Sequence, residues 1–188
     1  MTKNELRIYF KKQRQDFVFY NKRYEIDQLE NRLGDRLLAA DIMTGTIGGY
    51  AAMTSEFDPA QLLSRLRSGG HQIALPYFEN RHSEMEFRLA SEALERGPFS
   101  IDQPQSNNPA VKPETILVPL VAADAKGNRL GQGQGHFDRF LSETRKNGSI
   151  TAIGLAWECQ IAAEIPADPW DEPLDYIATP DRILEMTS

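Results

Sequence analysis

Apolar positions near the N-terminus recur at helical spacing. Leu6, Phe10 and Phe17 form one stripe, with Lys3, Arg7, Lys11 and Arg14 forming a basic stripe directly beside it. Thr2 and Glu5 have capping-box spacing, so this helix can begin almost at the first residue. Ile26, Leu29, Leu33 and Leu37 mark a second helix, with Leu38 widening its buried face. The pattern then changes to short apolar runs separated by turn residues. Thr46–Ala52 predicts a strand of small residues against which something can pack closely. Asp58-Pro59 supplies an N-cap and a proline at the first helical position for AQLLSRLRS, which stops at Gly69-Gly70.

Gln72–Leu75 reads as a buried strand ending at Pro76, and Glu86–Ala90 as a shorter strand, antiparallel or at an edge. Gly97–Glu114 carries Pro98, Pro104, Pro109 and Pro113 with Asn107 and Asn108, which predicts a long loop with a binding role. Ile116–Ala122 is apolar enough for a central strand, and Phe137–Lys146 is a helix closed by Asn147-Gly148. Ile150–Ala156 and Tyr176–Thr179, before Pro180, complete the strands. No internal repeat and no shift in composition divides the chain, so residues 1–188 are expected to form one domain. The alternation predicts an α/β fold: an open, largely parallel sheet with helices on both faces, a three-layer arrangement. Ligands in such sheets bind beyond the carboxyl ends of the strands.

Composition narrows the function classes. A hydrophobic content of 40% and a charged content of 26% are those of an ordinary soluble protein. The net charge of −6 argues against a broad nucleic-acid surface while leaving room for a local basic pocket. The lone Cys159 excludes an internal disulfide, fits a reducing compartment, and reads as a core residue rather than a nucleophile. No apolar run approaches a membrane span, and the N-terminal residues lack the pattern of a secretory signal. A cytoplasmic protein with a small-molecule substrate and no membrane partner is the expectation, with a monomer as the expected state.

The strongest chemical signal is Val118–Leu141, VPLVAADAKGNRLGQGQGHFDRFL. Gly131, Gly133 and Gly135 alternate with Gln132 and Gln134, leaving the backbone bare just before a helix N-terminus. Free N–H groups and the positive end of a helix dipole converge at such a place, which suits an anion, and phosphate above all. The competing interpretation is a plain tight turn. Familiar phosphate motifs are absent: there is no GxxxxGK[ST], and the GxGxG spacing falls short of the dinucleotide fingerprint. His71, His82 and His136 have no metal-ligand spacing, and no GxSxG elbow occurs.

Together with the N-terminal KNELR, the run RLGQGQGHFDRFL resembles the 5-formyltetrahydrofolate cyclo-ligases, also called methenyltetrahydrofolate synthetases. The resemblance takes in Glu56 after the first strand, Leu75-Pro76, VPLVAAD, Trp170-Asp171 and Thr179-Pro180. It implies a NagB/RpiA/CoA-transferase-like fold and an ATP-dependent ligase of one-carbon metabolism that uses Mg2+. Members cyclise 5-formyltetrahydrofolate to 5,10-methenyltetrahydrofolate with release of ADP and phosphate. The γ-phosphate is transferred to the formyl oxygen, which departs as phosphate once N10 attacks. Such chemistry needs positioning and charge neutralisation more than a protein nucleophile.

The same resemblance implies the site. Lys3 and Arg7 would contact the nucleotide, with Arg129, Leu130, Gly131, Gln132, Gly133, Gln134, Gly135, His136 and Phe137 forming the triphosphate loop. Arg129, His136 and Asp138 would be catalytic. Glu56, Phe99 and Gln132–His136 would contact the folate, with Met85 and Phe87 as further candidates to flank its ring. Asp138 would be a magnesium ligand, and Asp171 a second, with Asp168 close enough to compete for that role. The usual loop ends as glycine or lysine, glycine, aromatic, tyrosine, aspartate, where this chain has Gln134, Gly135, His136, Phe137 and Asp138. Those departures motivate the alternative of a non-catalytic relative that binds nucleotide or folate as a sensor or partner protein. An α/β enzyme acting on another phosphorylated substrate is a third possibility.

Overall fold

The computed structural model describes residues 1–186. Helix α1 (Lys3–Tyr20) begins at a complete capping box: Thr2 Oγ1 accepts from the Glu5 N–H, and the Glu5 carboxylate accepts from the Thr2 N–H at 2.7 Å. Helix α2 is Arg23–Ala40, α3 is Ala60–Ser68 and α4 is His136–Asn147. The strands of the main sheet are β1 (Ile47–Gly48), β2 (Ile73–Tyr77), β3 (Glu86–Leu89), β6 (Ala110–Val111), β7 (Thr115–Pro119), β10 (Thr151–Leu155), β12 (Tyr176–Ala178) and β13 (Ile183–Glu185). Their order is β13-β12-β10-β7-β1-β2-β3-β6. The run from β12 to β2 is parallel, whereas β13, β3 and β6 pair antiparallel with their neighbours. A smaller sheet orders β11 (Ile161–Ala162), β8 (Ala122–Asp124) and β9 (Arg129–Leu130), and β4 (Leu94–Arg96) pairs with β5 (Asp102–Pro104) as a ribbon.

Period-2 alternation divides the core between the two faces of the main sheet. Leu117 and Ile153 point to the face covered by Leu33 and Leu37 of α2 and Leu62 and Leu66 of α3. Ile116, Val118 and Ala152 point to the opposite face, covered by Leu141 of α4. Leu6 and Phe10 of α1 pack instead on Val121, Leu130 and Ile165 beside the small sheet. The three layers match the sequence expectation, and α1 lies across the end where β8 and β9 leave the main sheet.

Several boundaries differ, each for a physical reason. Leu38 is exposed, because α2 buries Glu30, Leu33 and Gly34 instead. A Cβ on Gly34 would touch Leu62 and Arg65 of α3, so this face is where the two helices meet. Thr46–Ala52 pairs only at Ile47–Gly48. Close packing is nevertheless confirmed there, since a Cβ on Gly48 would lie 2.8 Å from the Phe87 ring.

Pro76 does not end its strand. The Ala90 N–H donates to Ile73 O and the Gly49 N–H to Ala74 O, so the Pro76 nitrogen faces β1, which has already stopped. The expected long loop holds β5 and β6, prolines being tolerated where only one neighbour pairs. Ile116–Ala122 is divided into β7 and β8 at Leu120–Val121, and β11 and β13 extend the strands beyond those expected. Arg14 leaves the solvated basic stripe altogether and is buried.

Candidate active site

The carboxyl ends of β1, β2 and β7 open into a cavity of about 790 Å³. Tyr50 and Ala51 follow β1, Pro76 and Phe78 belong to the end of β2, and Pro119 and Leu120 to the end of β7; all six line it. Opposite them, β9 delivers the chain into the glycine loop and α4 takes it away. Gly133 has φ +100° and Gly135, the N-cap of α4, has φ +66°, so both occupy backbone conformations that side chains resist. Arg7 Nε donates to Gly131 O at 3.0 Å, holding the loop against α1.

Cations and carboxylates interleave around the loop. Lys3 Nζ bridges Asp168, at 2.6 Å, and Asp171. Arg129 is almost fully buried and pairs through Nη2 with Asp138, whose Oδ1 also accepts from the Glu172 N–H at 3.3 Å. The Arg129 Nε has no partner. His136 accepts from Arg139 Nη2 at Nδ1, 3.1 Å, which leaves its proton on Nε2, and Nε2 is likewise buried without a partner. Burial, then the neighbouring Arg139 charge, lowers the His136 pKa, so the ring is neutral near neutral pH. Two unpaired buried donors beside a bare glycine loop suit the oxygens of a phosphate chain.

The far wall is apolar. Phe78, Phe99 and His136 meet edge to face, with centroids 4.8 Å apart for Phe78–His136, 4.9 Å for Phe78–Phe99 and 5.5 Å for Phe99–His136. Phe99 reaches this cluster because the β4–β5 ribbon is clamped to β2: Gln103 accepts from the Phe78 N–H and donates to Phe78 O, each at 3.1 Å. Between the two walls stands Glu56, where Oε2 accepts from the Met53 N–H and Oε1 from Gln132 Nε2, both at 3.0 Å.

Lys3, Arg7, Glu56, Phe99, Arg129–Asp138 and Asp171 thus all line one cavity. Met85 lines it as well, but Phe87 does not: it is core, packed on Phe140 of α4 at 4.9 Å. Cys159 is half-buried against the core with its thiol pKa raised by desolvation, a packing residue as the sequence indicated. Sequence reasoning missed Phe78 and Glu172. It noted Trp170 without a role, although this largely exposed indole stands at the rim.

The donor set fits a magnesium ion bound with phosphates. Asp138, Asp168 and Asp171 supply hard oxygens, although no cluster of three or more ligating side chains exists among the described residues. Magnesium takes one or two protein carboxylates and completes its shell with water and phosphate oxygens.

Comparison with known proteins finds relatives of one family. The sequence model of the 5-formyltetrahydrofolate cyclo-ligase family matches residues 1–180. The 5-formyltetrahydrofolate cyclo-ligase of Escherichia coli is 28% identical over 158 residues, 77% of this chain and 82% of its own length. That of Haemophilus influenzae is 33% identical over 132 residues, 66% of this chain and 70% of its own. The NMR structure of Aquifex aeolicus 5,10-methenyltetrahydrofolate synthetase superposes with a TM-score of 0.84 at 25% identity, covering 100% of this chain and 94% of that one. A 5,10-methenyltetrahydrofolate synthetase from Mycoplasma pneumoniae gives 0.71 at 25% identity, covering 96% and 99%.

Proposed function

This chain belongs to the 5-formyltetrahydrofolate cyclo-ligase family and is an ATP-dependent ligase, and on that premise we propose how the cavity at the glycine loop carries out the reaction. The observation that carries the proposal is the convergence there of a bare glycine loop, two unpaired buried donors and a buried carboxylate.

The triphosphate lies along Gly131–Gly135, held by backbone N–H groups at the start of α4 and by the Lys3 and Arg7 cations. The Arg129 Nε and the His136 Nε2–H donate to the γ-phosphate and to the formyl oxygen that receives it. A neutral His136 suits this task, since it donates one hydrogen bond without holding a second charge against Arg129 and Arg139. Transfer of the γ-phosphoryl group makes the formyl oxygen a phosphate ester. N10 then attacks the formyl carbon and gives up its proton, the C–O bond breaks, and the proton and the former formyl oxygen leave with inorganic phosphate. Glu56 accepts from the N–H donors of the pterin, while Phe99, Phe78 and Met85 pack on its ring. Asp138 would hold magnesium, with Asp171 or Asp168 beside it, and the ion would supply further neutralisation of phosphate oxygens.

The chain acts as one domain, and we place it in the cytoplasm as a monomer whose partners are small molecules. No helix among the described residues is long and apolar enough to cross a membrane. The test is the rise in methenyltetrahydrofolate absorbance on mixing 5-formyltetrahydrofolate, ATP and magnesium, with and without ATP. Asp138→Ala should abolish that rise. Purified protein that turns over nothing and binds neither ligand would overturn the proposal, and binding without turnover would point to a non-catalytic relative.

A further inference from the structure

Lys3, Arg7 and Arg14 share one face of α1, yet they have different destinations. Lys3 and Arg7 open into the cavity, whereas Arg14 does not line it and lies sealed behind its wall. Its side chain is 4% exposed, as is that of Glu56. Arg14 Nε donates to Ser55 Oγ and Nη1 to Leu120 O, each at 3.1 Å, and Nη1 stands 3.7 Å from Glu56 Oε1. The two backbone regions it joins are the segment after β1, which carries Glu56, and the end of β7. No other basic group forms an ion pair with Glu56 among the described residues.

A buried guanidinium is costly to desolvate, and its retention here calls for a partner that needs it. Glu56 is that partner, a buried carboxylate that faces the cavity on its other side. An ionised carboxylate offers about four acceptor positions. The Met53 N–H takes one on Oε2, and Gln132 and Arg14 approach Oε1, which leaves acceptor capacity for a ligand. Gln132 belongs to the glycine loop, so the same carboxylate touches the phosphate side of the cavity.

We propose that Arg14 is a positioning residue for folate recognition: it balances and orients Glu56 from behind, so that the carboxylate presents acceptors to the pterin in one fixed geometry. This rests on the folate assignment of the cavity made above. Arg14 touches neither substrate, and its effect passes through Glu56.

The experiment is a double-mutant cycle of Arg14→Met and Glu56→Gln, with Arg14→Lys as the conservative variant. KM for 5-formyltetrahydrofolate and for ATP, kcat, and equilibrium binding of 5-formyltetrahydrofolate and of ADP are measured throughout. Arg14→Met is expected to weaken folate binding at least tenfold while KM for ATP and ADP affinity stay within threefold. Arg14→Lys should recover at least half of that loss on a logarithmic scale. In the Glu56→Gln background, Arg14→Met should add less than twofold. This double variant strands no buried carboxylate, so it keeps the comparison available where Arg14→Met alone fails to fold. Equal weakening of both substrates, or full additivity with Glu56→Gln, would show Arg14 to be merely structural and overturn the proposal. Wild-type protein that binds ADP but no folate would overturn the folate assignment and this inference with it. Folate binding that Arg14→Met leaves unchanged would overturn this inference alone.

Discussion

Gly133→Ala isolates the conformational demand of the glycine loop from steric contributions. The nearest atoms to a Cβ built on Gly133 are those of the Arg7 guanidinium, at 3.6–3.9 Å, which is ordinary contact, so the substitution brings no clash. What remains is the backbone. At φ +100° the residue lies beyond the left-handed well, where a non-glycine residue already costs about 1–2 kcal/mol. At 1.4 kcal/mol per factor of ten, that corresponds to a weakening of about 5- to 30-fold. It should appear in KM for ATP and in ADP affinity measured by calorimetry, while affinity for 5-formyltetrahydrofolate changes little. Gly148→Ala, at the far end of α4, is the internal control, because its φ of 167° is extended backbone and nothing lies within 4 Å of its Cβ. Unchanged ADP affinity in Gly133→Ala, or an equal loss in Gly148→Ala, would refute the argument that the loop holds phosphates in this backbone geometry.

Two further expectations concern stability. Burial pushes the Glu30 carboxyl up to about 7; Arg23 opposes the shift, and Asp58 and Asp27 add to it. Its folded pKa therefore lies above the unfolded one, so the unfolded chain ionises first and stability falls as pH rises from about 4.5 to 7. At about 1.4 kcal/mol per unit, the loss reaches up to about 3 kcal/mol above pH 7. Glu30→Gln removes this titration, so its stability advantage in urea should grow between pH 5 and pH 8; an advantage independent of pH would refute burial as the cause. Asp124, at the β8–β9 turn, is fully buried and accepts from the backbone N–H groups of Lys126, Asn128 and Ile165 and from the Asn128 side chain. Asp124→Ala orphans these donors and should lower the urea midpoint by the equivalent of about 3 kcal/mol or more. The kcat of the folded fraction should barely change, and an unshifted midpoint would refute this account.

Elements governed by local rules were legible in the sequence. The α1 capping box, the helix AQLLSRLRS, and β7 and β10 follow from spacing, caps and apolar runs. Features set by tertiary contact were not. The exposure of Leu38 depends on where α3 crosses α2 at Gly34, and the passage of β2 through Pro76 depends on β1 stopping one neighbour away. The site divides in the same way. The glycine loop stands out because bare backbone before a helix start suits an anion, with a plain tight turn as the competing interpretation, and the family resemblance supplied Lys3, Arg7 and Glu56. Arg14 shares the spacing of Lys3 and Arg7, and only the packing of α1 over the ends of β7 and β1 separates a buried partner of Glu56 from a solvated charge.

The same geometry bears on the places where the loop leaves the family pattern. His136 could be a hydrogen-bond donor or a ring that replaces the usual aromatic, and its geometry is compatible with both. Its edge packs against Phe78 and Phe99, while Arg139 at Nδ1 keeps the proton on an unpaired Nε2. Phe137 lacks the phenol hydroxyl, and its half-buried ring instead packs toward the α4 core with the Arg129 guanidinium 6.0 Å from its centroid. The ring thereby confines Arg129 on one side while Asp138 fixes it on another, leaving Nε unpaired. Residue 137 brings no hydroxyl to the cavity, while the His136 Nε2 one residue earlier and the buried Arg129 both line it. Each buried donor without a protein partner destabilises the fold unless a ligand or water accepts from it, which makes this wall of the cavity the place where a ligand's oxygens are best received.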